Sequence, residues 1–184
     1  MLPKDFPPRA GKRPRTSRIG PHRQLDQDAP TDLQDRLRDY ALALPGVRGG
    51  PSEVAVAGSI AFFLDEPPNP PLVPSRFGCE WGHIHPHADG SLHLSVSPPE
   101  AERLIAQGWA EYHPAVKWGL VAPVVVMVYG PRDEKELIVV KRIVDLAYAT
   151  AGGATRRGDG RALVDESAGT RATGQRRDRV REDP

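Results

Sequence analysis

The chain has 184 residues, enough for one domain with a hydrophobic core, and its 39% hydrophobic and 6% aromatic content with 20 prolines indicates a modest globular body extended by loops and tails. The net charge of +1 divides into +4 over residues 1–29, −5 over residues 30–150 and +2 over residues 151–184, which argues against a nucleic-acid-binding domain because such a domain carries a basic face. The single cysteine, Cys79, excludes an intrachain disulfide and a cysteine-based zinc site.

Both ends of the chain are predicted to be disordered tails. Residues 1–29 are rich in Pro and Arg, and residues 151–184 are rich in Gly, Arg, Asp and Thr, with few apolar residues to offset the entropy of ordering.

The first residues lack the apolar segment of a signal peptide. The longest apolar run, residues 119–130, has about ten apolar residues where a membrane-spanning helix needs about 20. We therefore expect a soluble, cytoplasmic protein without a membrane partner.

Between the tails, the first predicted element is a helix. It begins at a capping box formed by Thr31 and Gln34 and ends at Pro45 and Gly46. Apolar residues at helical spacing form one stripe along it: Leu33, Leu37, Tyr40, Ala41 and Leu44.

Strand patterns follow this helix. Residues 53–66, "EVAVAGSIAFFLDE", predict two strands around Gly58 and Ser59. Residues 65–74 contain five prolines and predict a loop. Two further strands are predicted in a histidine-rich stretch described below, and residues 124–130, "VVVMVYG", predict a buried strand.

Two more helices complete the predicted order. Ser97 followed by Pro98 begins the second helix, and Asp133 with Glu136 caps the last one. The last helix carries its own apolar stripe: Leu137, Val140, Ile143, Val144 and Ala147. The pattern predicts a small α+β domain over residues 30–150, in which about three helices pack on one face of a mostly antiparallel sheet of about five strands.

The stretch "HIHPHADGSLHL", residues 83–94, holds four of the six histidines and predicts a β-hairpin. A two-residue loop would mix polar and apolar side chains on both faces. A three-residue loop closed by Gly90 in the left-handed region pairs His85 with His93 and separates the two classes of side chain. We therefore predict the second register. It places four histidines on one face, His83, His85, His87 and His93, and five apolar residues on the other, Ile84, Pro86, Leu92, Leu94 and Val96.

The residues alone leave three uses of this histidine face open. Imidazoles on adjacent strands bind transition metals, and the candidate ligands are His85, His87 and His93. A further ligand would come from one of three residues: Asp89, Glu80 or His113. Imidazole also serves acid–base or oxyanion chemistry, for which the candidates are His85, His93 and His113. Alternatively, the histidines are hydrogen-bonded and inert.

Further candidates for substrate binding lie outside the hairpin. Residues 108–119, "GWAEYHPAVKWG", group Trp109 and Tyr112 with His113 after a helix, although the pattern favours a place in the core for Trp109. Arg132 precedes the last helix. It would either hold an anion near the free backbone N–H groups at the start of that helix or pair with a carboxylate. The predicted substrate-binding residues are therefore His83, His87, Trp109, Tyr112 and Arg132.

Three blocks of the sequence, residues 83–96, 101–114 and 125–149, resemble the small luciferase-domain family of bacterial proteins of unknown role, which is similar to the fungal luciferases. The resemblance runs from about Asp32 to Ala149. The luminous fungal members of the family oxidise 3-hydroxyhispidin, a hydroxylated styrylpyrone, with molecular oxygen. The resemblance therefore implies oxygen-dependent oxidoreductase chemistry and directs attention to the histidines: His83, His85, His87, His93 and His113.

These observations lead to three hypotheses. The first is a luciferase-like protein that binds or oxidises a small aromatic or enolic molecule at the histidine face, with a transition metal left open as cofactor. The second is a non-enzymatic interaction module whose tails contact a partner. The third is a nucleic-acid binder, since the order of elements resembles the YjbR-like double-wing proteins, against which the −5 charge of residues 30–150 argues.

Overall fold

The computed structural model describes residues 2–3, 5–65, 79–120 and 124–153. The predicted loop over residues 65–74 and the predicted tail over residues 151–184 lie outside the described residues, except for Asp65 and residues 151–153. The elements are α1 (Thr31–Leu42), β1 (Val47–Pro51), β2 (Ile60–Leu64), β3 (Glu80–Ile84), β4 (Leu92–Ser95), α2 (Pro98–Ala106), β5 (Ala110–Tyr112), a 3-10 helix (Pro114–Trp118), β6 (Val125–Val128) and α3 (Glu134–Thr150). Within this part of the chain, no helix combines the length and apolar character needed to span a membrane.

Six strands form one sheet in the order β1-β2-β3-β4-β6-β5, and every neighbouring pair is antiparallel. The predicted α+β class, with three helices and an antiparallel sheet, is confirmed. Two details differ from the prediction. The short strand β5 was not predicted, and β1 lies at Val47–Pro51 rather than within residues 53–57, which form bends and turns. Residues 54–57 are apolar although they form no strand, and they line a cavity instead.

α1 and α3 pack against each other and against one face of the sheet, where the main core lies. The predicted stripe of α3 is entirely buried, as are Leu33, Leu37, Ala41 and Leu44 of the α1 stripe. Their sheet partners are side chains that alternate along the central strands: Phe62, Ile84, Leu92, Leu94, Val126 and Val128. Burial of each such side chain contributes about 1.5–3 kcal/mol. α2 packs beside β5 at the end of the sheet.

The helix starts follow the prediction only in part. Asp133 caps α3 as predicted, since its side chain accepts a hydrogen bond from the Glu136 N–H at 2.8 Å. The predicted capping box of α1 does not form, because Pro30 occupies the N-cap position and no side chain caps the helix. Gln34 instead donates to the backbone oxygen of His85 at 2.6 Å. This bond fastens α1 to the histidine hairpin.

Residues 5–29, which the sequence predicts to be disordered, lie along α2, β5 and the histidine face of the sheet; we call them the N-terminal strap. The backbone of Arg9 donates to Gln107 O at 2.9 Å, and Trp109 donates its Nε1–H to Pro7 O at 2.6 Å. Phe6 is buried edge-on against Trp109. The strap has no apolar stripe of its own, and hydrogen bonds, side-chain ion pairs and a few buried apolar side chains hold it on the rest of the domain. Composition alone does not predict order of this kind.

Candidate functional site

A cavity of about 610 Å³ lies over the sheet face opposite α1 and α3. Residues 54–57 provide an apolar part of its wall, and Pro21 of the strap closes another part. Its polar wall contains five of the six histidines: His22, His83, His85, His93 and His113. The volume falls within the range of roughly 300–1,000 Å³ that is usual for sites of small organic ligands.

β3 and β4 bring three of these histidines to one face, in a register that differs from the predicted one. His83 pairs with His93, and the His85 N–H donates to Ser91 O at 2.9 Å, whereas the prediction paired His85 with His93. The connecting loop is longer than predicted and contains two left-handed residues, Ala88 (φ 68°) and Gly90 (φ 70°). The predicted register is therefore wrong by two residues, but a shift of two keeps each ladder side chain on its predicted face.

His87 does not share this face. It lies in the turn beyond the paired residues, where its side chain is 55% exposed and contacts Asp35 at 3.2 Å. The loop carries His87 past the end of the ladder, so the alternation that places His83 and His85 together no longer applies to it. Of the predicted metal ligands, His85 and His93 therefore lie in the cluster and His87 lies outside it.

An irregularity in the pairing of β3 places Glu80 on the histidine face. Side chains three positions apart on a regular strand point to opposite faces. Here the pairing with β2 shifts between Phe62 and Phe63, which leaves Trp81 as an extra residue on β3. Glu80 consequently reaches His83, whose Nδ1 lies 2.8 Å from the carboxylate.

Hydrogen bonds join the three central histidines into a chain that ends in a carboxylate on each side. Glu80 contacts Nδ1 of His83, and Nε2 of His83 lies 2.9 Å from Nδ1 of His93. Nε2 of His93 lies 3.1 Å from Nδ1 of His22, and Nε2 of His22 lies 2.7 Å from Glu111. The chain runs across β3, β4, the strap and β5. Each ring nitrogen in it faces a polar partner.

His85 is oriented by a separate carboxylate. Its Nδ1 lies 2.7 Å from Oδ2 of Asp89, which is fully buried in the hairpin turn. Ser91 donates its backbone N–H and its hydroxyl to Oδ1 of Asp89, at 3.1 and 2.6 Å. Burial alone would raise the pKa of Asp89, but the hydrogen bonds from His85 and Ser91 lower it below its ordinary value. Asp89 is therefore a carboxylate, and it accepts the Nδ1–H of His85.

His113 has the opposite tautomer. Its Nδ1 accepts the Ala115 N–H at 3.1 Å and so caps the 3-10 helix. Burial, together with the charges of the neighbouring histidines, lowers the pKa of His113 to about 4. At neutral pH the ring is therefore uncharged, and its hydrogen sits on Nε2.

Burial also keeps the centre of the cluster uncharged. It lowers the pKa of His93 well below the ordinary value, and the charges of the surrounding histidines lower it further. The pKa of His83 is likewise lowered by burial, although Glu80 opposes the shift. His83, His93 and His113 therefore present neutral imidazoles to the cavity at physiological pH.

Two sets of three histidines could each hold a metal ion. Within each set, every histidine offers one ring nitrogen, and these three nitrogens lie within 4.8 Å of one another. The first set is His83, His85 and His93, and the second is His22, His93 and His113. Both are consistent with the general preference of imidazole for transition metals. The sequence analysis included His85 and His93 as ligands and placed His83 on the same face.

The other predicted site residues have structural surroundings. Trp109 is buried against Phe6, and Tyr112 lies in β5 with 38% of its surface exposed. Arg132 pairs with Glu136 and so follows the second of its two sequence interpretations. None of these three lines the cavity formed by the described residues.

Sequence reasoning missed two members of the hydrogen-bonded chain. His22 was assigned to a disordered tail, and Glu111 was not singled out. The only sequence feature that distinguishes His22 is its residue type, because it is one of six histidines. Glu111 could have been found from alternation on β5, since it pairs with Met127 opposite His93 and so lies on the histidine face.

Comparisons with known proteins agree with the resemblance noted in the sequence. The family model described as a luciferase domain matches residues 78–147. The chain is 31% identical over 166 residues to a luciferase of Armillaria mellea and 31% identical over 166 residues to one of Armillaria ostoyae; each alignment covers 79% of this chain and 62% of the relative. A luciferase of Neonothopanus nambi is 33% identical over 94 residues, which cover 46% of this chain and 35% of the relative. The chain thus spans less than two thirds of the length of these relatives, and no solved structure matches it significantly.

Proposed function

The chain belongs to the luciferase-domain family over residues 78–147, and on that basis we propose that its cavity binds a small, electron-rich enolic or phenolic aromatic molecule and presents it to molecular oxygen. The observation that carries the proposal is the composition of the cavity wall. Five histidines line one part of a 610 Å³ space, and apolar side chains line another. Such a site fits a ligand that is flat and apolar over most of its surface and has polar groups at one edge.

The tautomers of the histidines favour an acidic hydroxyl at that edge. Nδ1 of His85 contacts Asp89 at 2.7 Å, so Nε2 is its nitrogen available to a ligand, and in the proposed reaction it acts as the proton acceptor. An unprotonated imidazole nitrogen accepts a hydrogen bond, and then the proton, from an enol or phenol. His113 carries its hydrogen on Nε2 and donates to the oxygen that becomes negative. The site therefore contains both a proton acceptor and a donor that stabilises the resulting anion.

The proposed reaction follows from that anion. Transfer of the hydroxyl proton to imidazole leaves an enolate, whose carbon is electron-rich. This carbon forms a bond to O₂, the electron pair of the enolate reduces the oxygen to a peroxide, and the proton returns from the imidazolium to give a hydroperoxide. Enol and oxygen together thus account for all atoms and electrons of the product.

The test is a calorimetric titration of the full chain with hydroxylated pyrones and catechols. Oxygen consumption is then measured with each compound that binds. We expect His113→Gln to weaken binding about 3- to 10-fold, since it replaces a hydrogen bond contributing about 0.5–1.5 kcal/mol. His87→Gln is the matched control, because His87 lies on the same hairpin and outside the cavity. Absence of binding at millimolar concentration across the series, or an equal effect of both variants, would contradict the proposal.

A further inference from the structure

The chain of histidines between Glu80 and Glu111 directs its two outer ring nitrogens to carboxylates. Nδ1 of His83 lies 2.8 Å from Glu80, and Nε2 of His22 lies 2.7 Å from Glu111. An ionised carboxylate accepts hydrogen bonds and donates none, so each of these two nitrogens carries the hydrogen of its contact. The inner nitrogens of the chain are then the ones that can bind an ion.

The inner nitrogens of His83 and His93 lie close together. Nε2 of His83 is 2.9 Å from Nδ1 of His93. Nε2 of His93 in turn contacts Nδ1 of His22 at 3.1 Å, and the other nitrogen of His22 contacts Glu111. Nε2 of His83 and Nδ1 of His93 are therefore placed to share one ion.

A third ring nitrogen lies near these two. Nδ1 of His85 contacts Asp89 at 2.7 Å, so Nε2 is the nitrogen of this ring that remains to bind an ion. The ligand nitrogens of His83, His85 and His93 all lie within 4.8 Å of one another. For comparison, two nitrogens bound about 2.1 Å from one metal ion are roughly 3.0–3.4 Å apart in octahedral or tetrahedral geometry. The contact at 2.9 Å is close to this separation.

We propose that His83, His85 and His93 bind one divalent first-row transition-metal ion. Each of the three rings gives its other N–H to a carboxylate, His83 and His85 directly and His93 through His22. This is the arrangement by which proteins orient metal-binding histidines and raise their basicity. The metal ligands predicted from the sequence are His85, His87 and His93; the structure places His87 outside the set and His83 within it.

The second set of three histidines does not fit a metal. Nδ1 of His113 accepts the Ala115 N–H, so its Nε2 carries a hydrogen and has no lone pair to offer. Nδ1 of His22 already contacts Nε2 of His93 at 3.1 Å. In the first set each ring has a carboxylate on its other nitrogen, directly or through His22, and this is therefore the set that fits a metal ion.

Whether the metal binds is independent of the proposed function, but what it would do there rests on that function. Three protein nitrogens leave the remaining coordination positions of the ion free on the cavity side for a water molecule or a ligand oxygen. A bound cation lowers the pKa of a coordinated hydroxyl, so the ion would take over from imidazole the task of stabilising the enolate. The substrate class then narrows to molecules with a hydroxyl or oxo group that can reach the metal.

The experiment uses the full chain purified without a histidine tag, stripped with a chelator and reloaded with Co²⁺ or Zn²⁺. We expect about one equivalent of metal by elemental mass spectrometry, and for Co²⁺ the visible absorption of a nitrogen-ligated ion. His83→Gln and His85→Gln should each lose the bound metal on desalting. Asp89→Asn should weaken metal binding about 10- to 100-fold, the usual effect of removing the partner of a ligating histidine.

Two matched variants identify the ligand set. His87→Gln removes a histidine from the same hairpin, and His113→Gln removes one from the alternative set; both should keep one equivalent of metal. Loss of metal in His113→Gln with retention in His85→Gln would overturn the assignment. So would wild-type protein, folded by circular dichroism, that takes up less than a tenth of an equivalent, a result that does not depend on any variant.

Failure of this inference and failure of the proposed function give different results. Metal uptake is measured without any organic ligand, and pyrone binding is measured separately on the stripped protein. Wild-type protein that takes up less than a tenth of an equivalent of metal but binds a pyrone would overturn the metal centre and leave the proposed function standing. Metal uptake without pyrone binding would support the centre and contradict the proposed substrate class.

Discussion

Gly82 lies next to His83 in β3, at a position where a side chain does not fit. A Cβ there would lie 2.6 Å from Cδ2 of Leu94 and 2.9 Å from the backbone oxygen of His93. Backbone does not move as readily as the end of a side chain, so Gly82→Ala must displace β4 together with His93. We expect the free energy of unfolding to fall by about 1–3 kcal/mol, as measured by urea denaturation at neutral pH.

Gly49 provides the matched control for this prediction. A Cβ at Gly49 would also be crowded, at 2.7 Å, but by Cδ2 of Leu42, which is the end of a flexible side chain. Leu42 adjusts by rotation, so Gly49→Ala should reduce the free energy of unfolding by less than about 1 kcal/mol. Equal losses in both variants would show that the close approach of β4 to Gly82 does not determine stability.

At the same scale, the sequence predicts which residues carry the chemistry better than it predicts their partners. Clustering in the sequence identified His83, His85 and His93. Glu80 reaches His83 only because the pairing of β2 with β3 shifts by one residue. No residue pattern on β3 predicts that shift. The tautomer of His113 likewise depends on a backbone N–H two residues away. Such contacts are set by backbone geometry that is not encoded in local residue types.

Among the elements, the histidine hairpin shows what alternation determines and what it does not. The separation of polar from apolar side chains depends only on whether the register is odd or even, so the predicted faces of His83, His85 and His93 are correct. The length of the loop depends on the left-handed conformation of Ala88, and alanine gives no sign of it. The same limit applies to β1, where apolar residues 54–57 suggest a strand but line the cavity instead.

The two left-handed residues of this hairpin loop lead to a prediction of opposite signs. Ala88 has φ 68° and Gly90 has φ 70°. An L-residue in the left-handed region destabilises the folded state by about 1–2 kcal/mol. Glycine avoids this strain, but it costs about 0.5–1 kcal/mol because its backbone loses more conformational entropy on folding. Ala88→Gly should therefore raise the free energy of unfolding by up to about 1 kcal/mol. Gly90→Ala should lower it by more than about 1 kcal/mol, because its Cβ would also lie 2.8 Å from Cβ of Ala29.

Thermal and urea unfolding of the two variants beside the wild type provide the measurement. Because both substitutions change only one methyl group, differences in burial elsewhere are small. A destabilising effect of Ala88→Gly as large as that of Gly90→Ala would contradict the left-handed conformation at residue 88. The hairpin would then have to close through a shorter loop, as the sequence analysis had predicted.

Across the whole molecule, the N-terminal strap converts one side of an open sheet into an enclosed cavity. It covers the histidine face, contributes His22 to the hydrogen-bonded chain and lines the cavity with Pro21. Its order depends on the rest of the domain, through contacts such as those of Arg9 with Gln107 and of Phe6 with Trp109. The α+β class could be predicted from periodicity because helices and strands bury their own stripes. The strap could not be predicted, because it buries its residues only on an existing surface.

Glu111 is one of the residues that fasten the strap to the sheet, and it makes the stability of the molecule depend on pH. It contacts His22 of the strap at 2.7 Å and accepts the hydroxyl of Tyr129 at 3.0 Å. Burial alone would raise the pKa of Glu111, but hydrogen bonds from His22, Thr16 and Tyr129 lower it below the ordinary value of 4.5. A carboxyl whose pKa is lower in the folded state stabilises that state above its unfolded pKa, and this contribution is lost as the pH falls through the folded pKa.

Glu111→Gln should therefore lower the free energy of unfolding at pH 7 by about 1.5–3 kcal/mol, the range for hydrogen bonds to a charged group. The difference between wild type and variant should persist down to about pH 4.5 and shrink below it, because protonated Glu111 and glutamine are both uncharged. Urea unfolding of both proteins from pH 7 to pH 3, in the presence of a chelator, measures this difference without a contribution from metal binding. A difference in the free energy of unfolding that stays constant from pH 7 to pH 3 would show that the charge of Glu111 does not hold the strap in place. The effect of the substitution would then come only from the changed shape of the side chain.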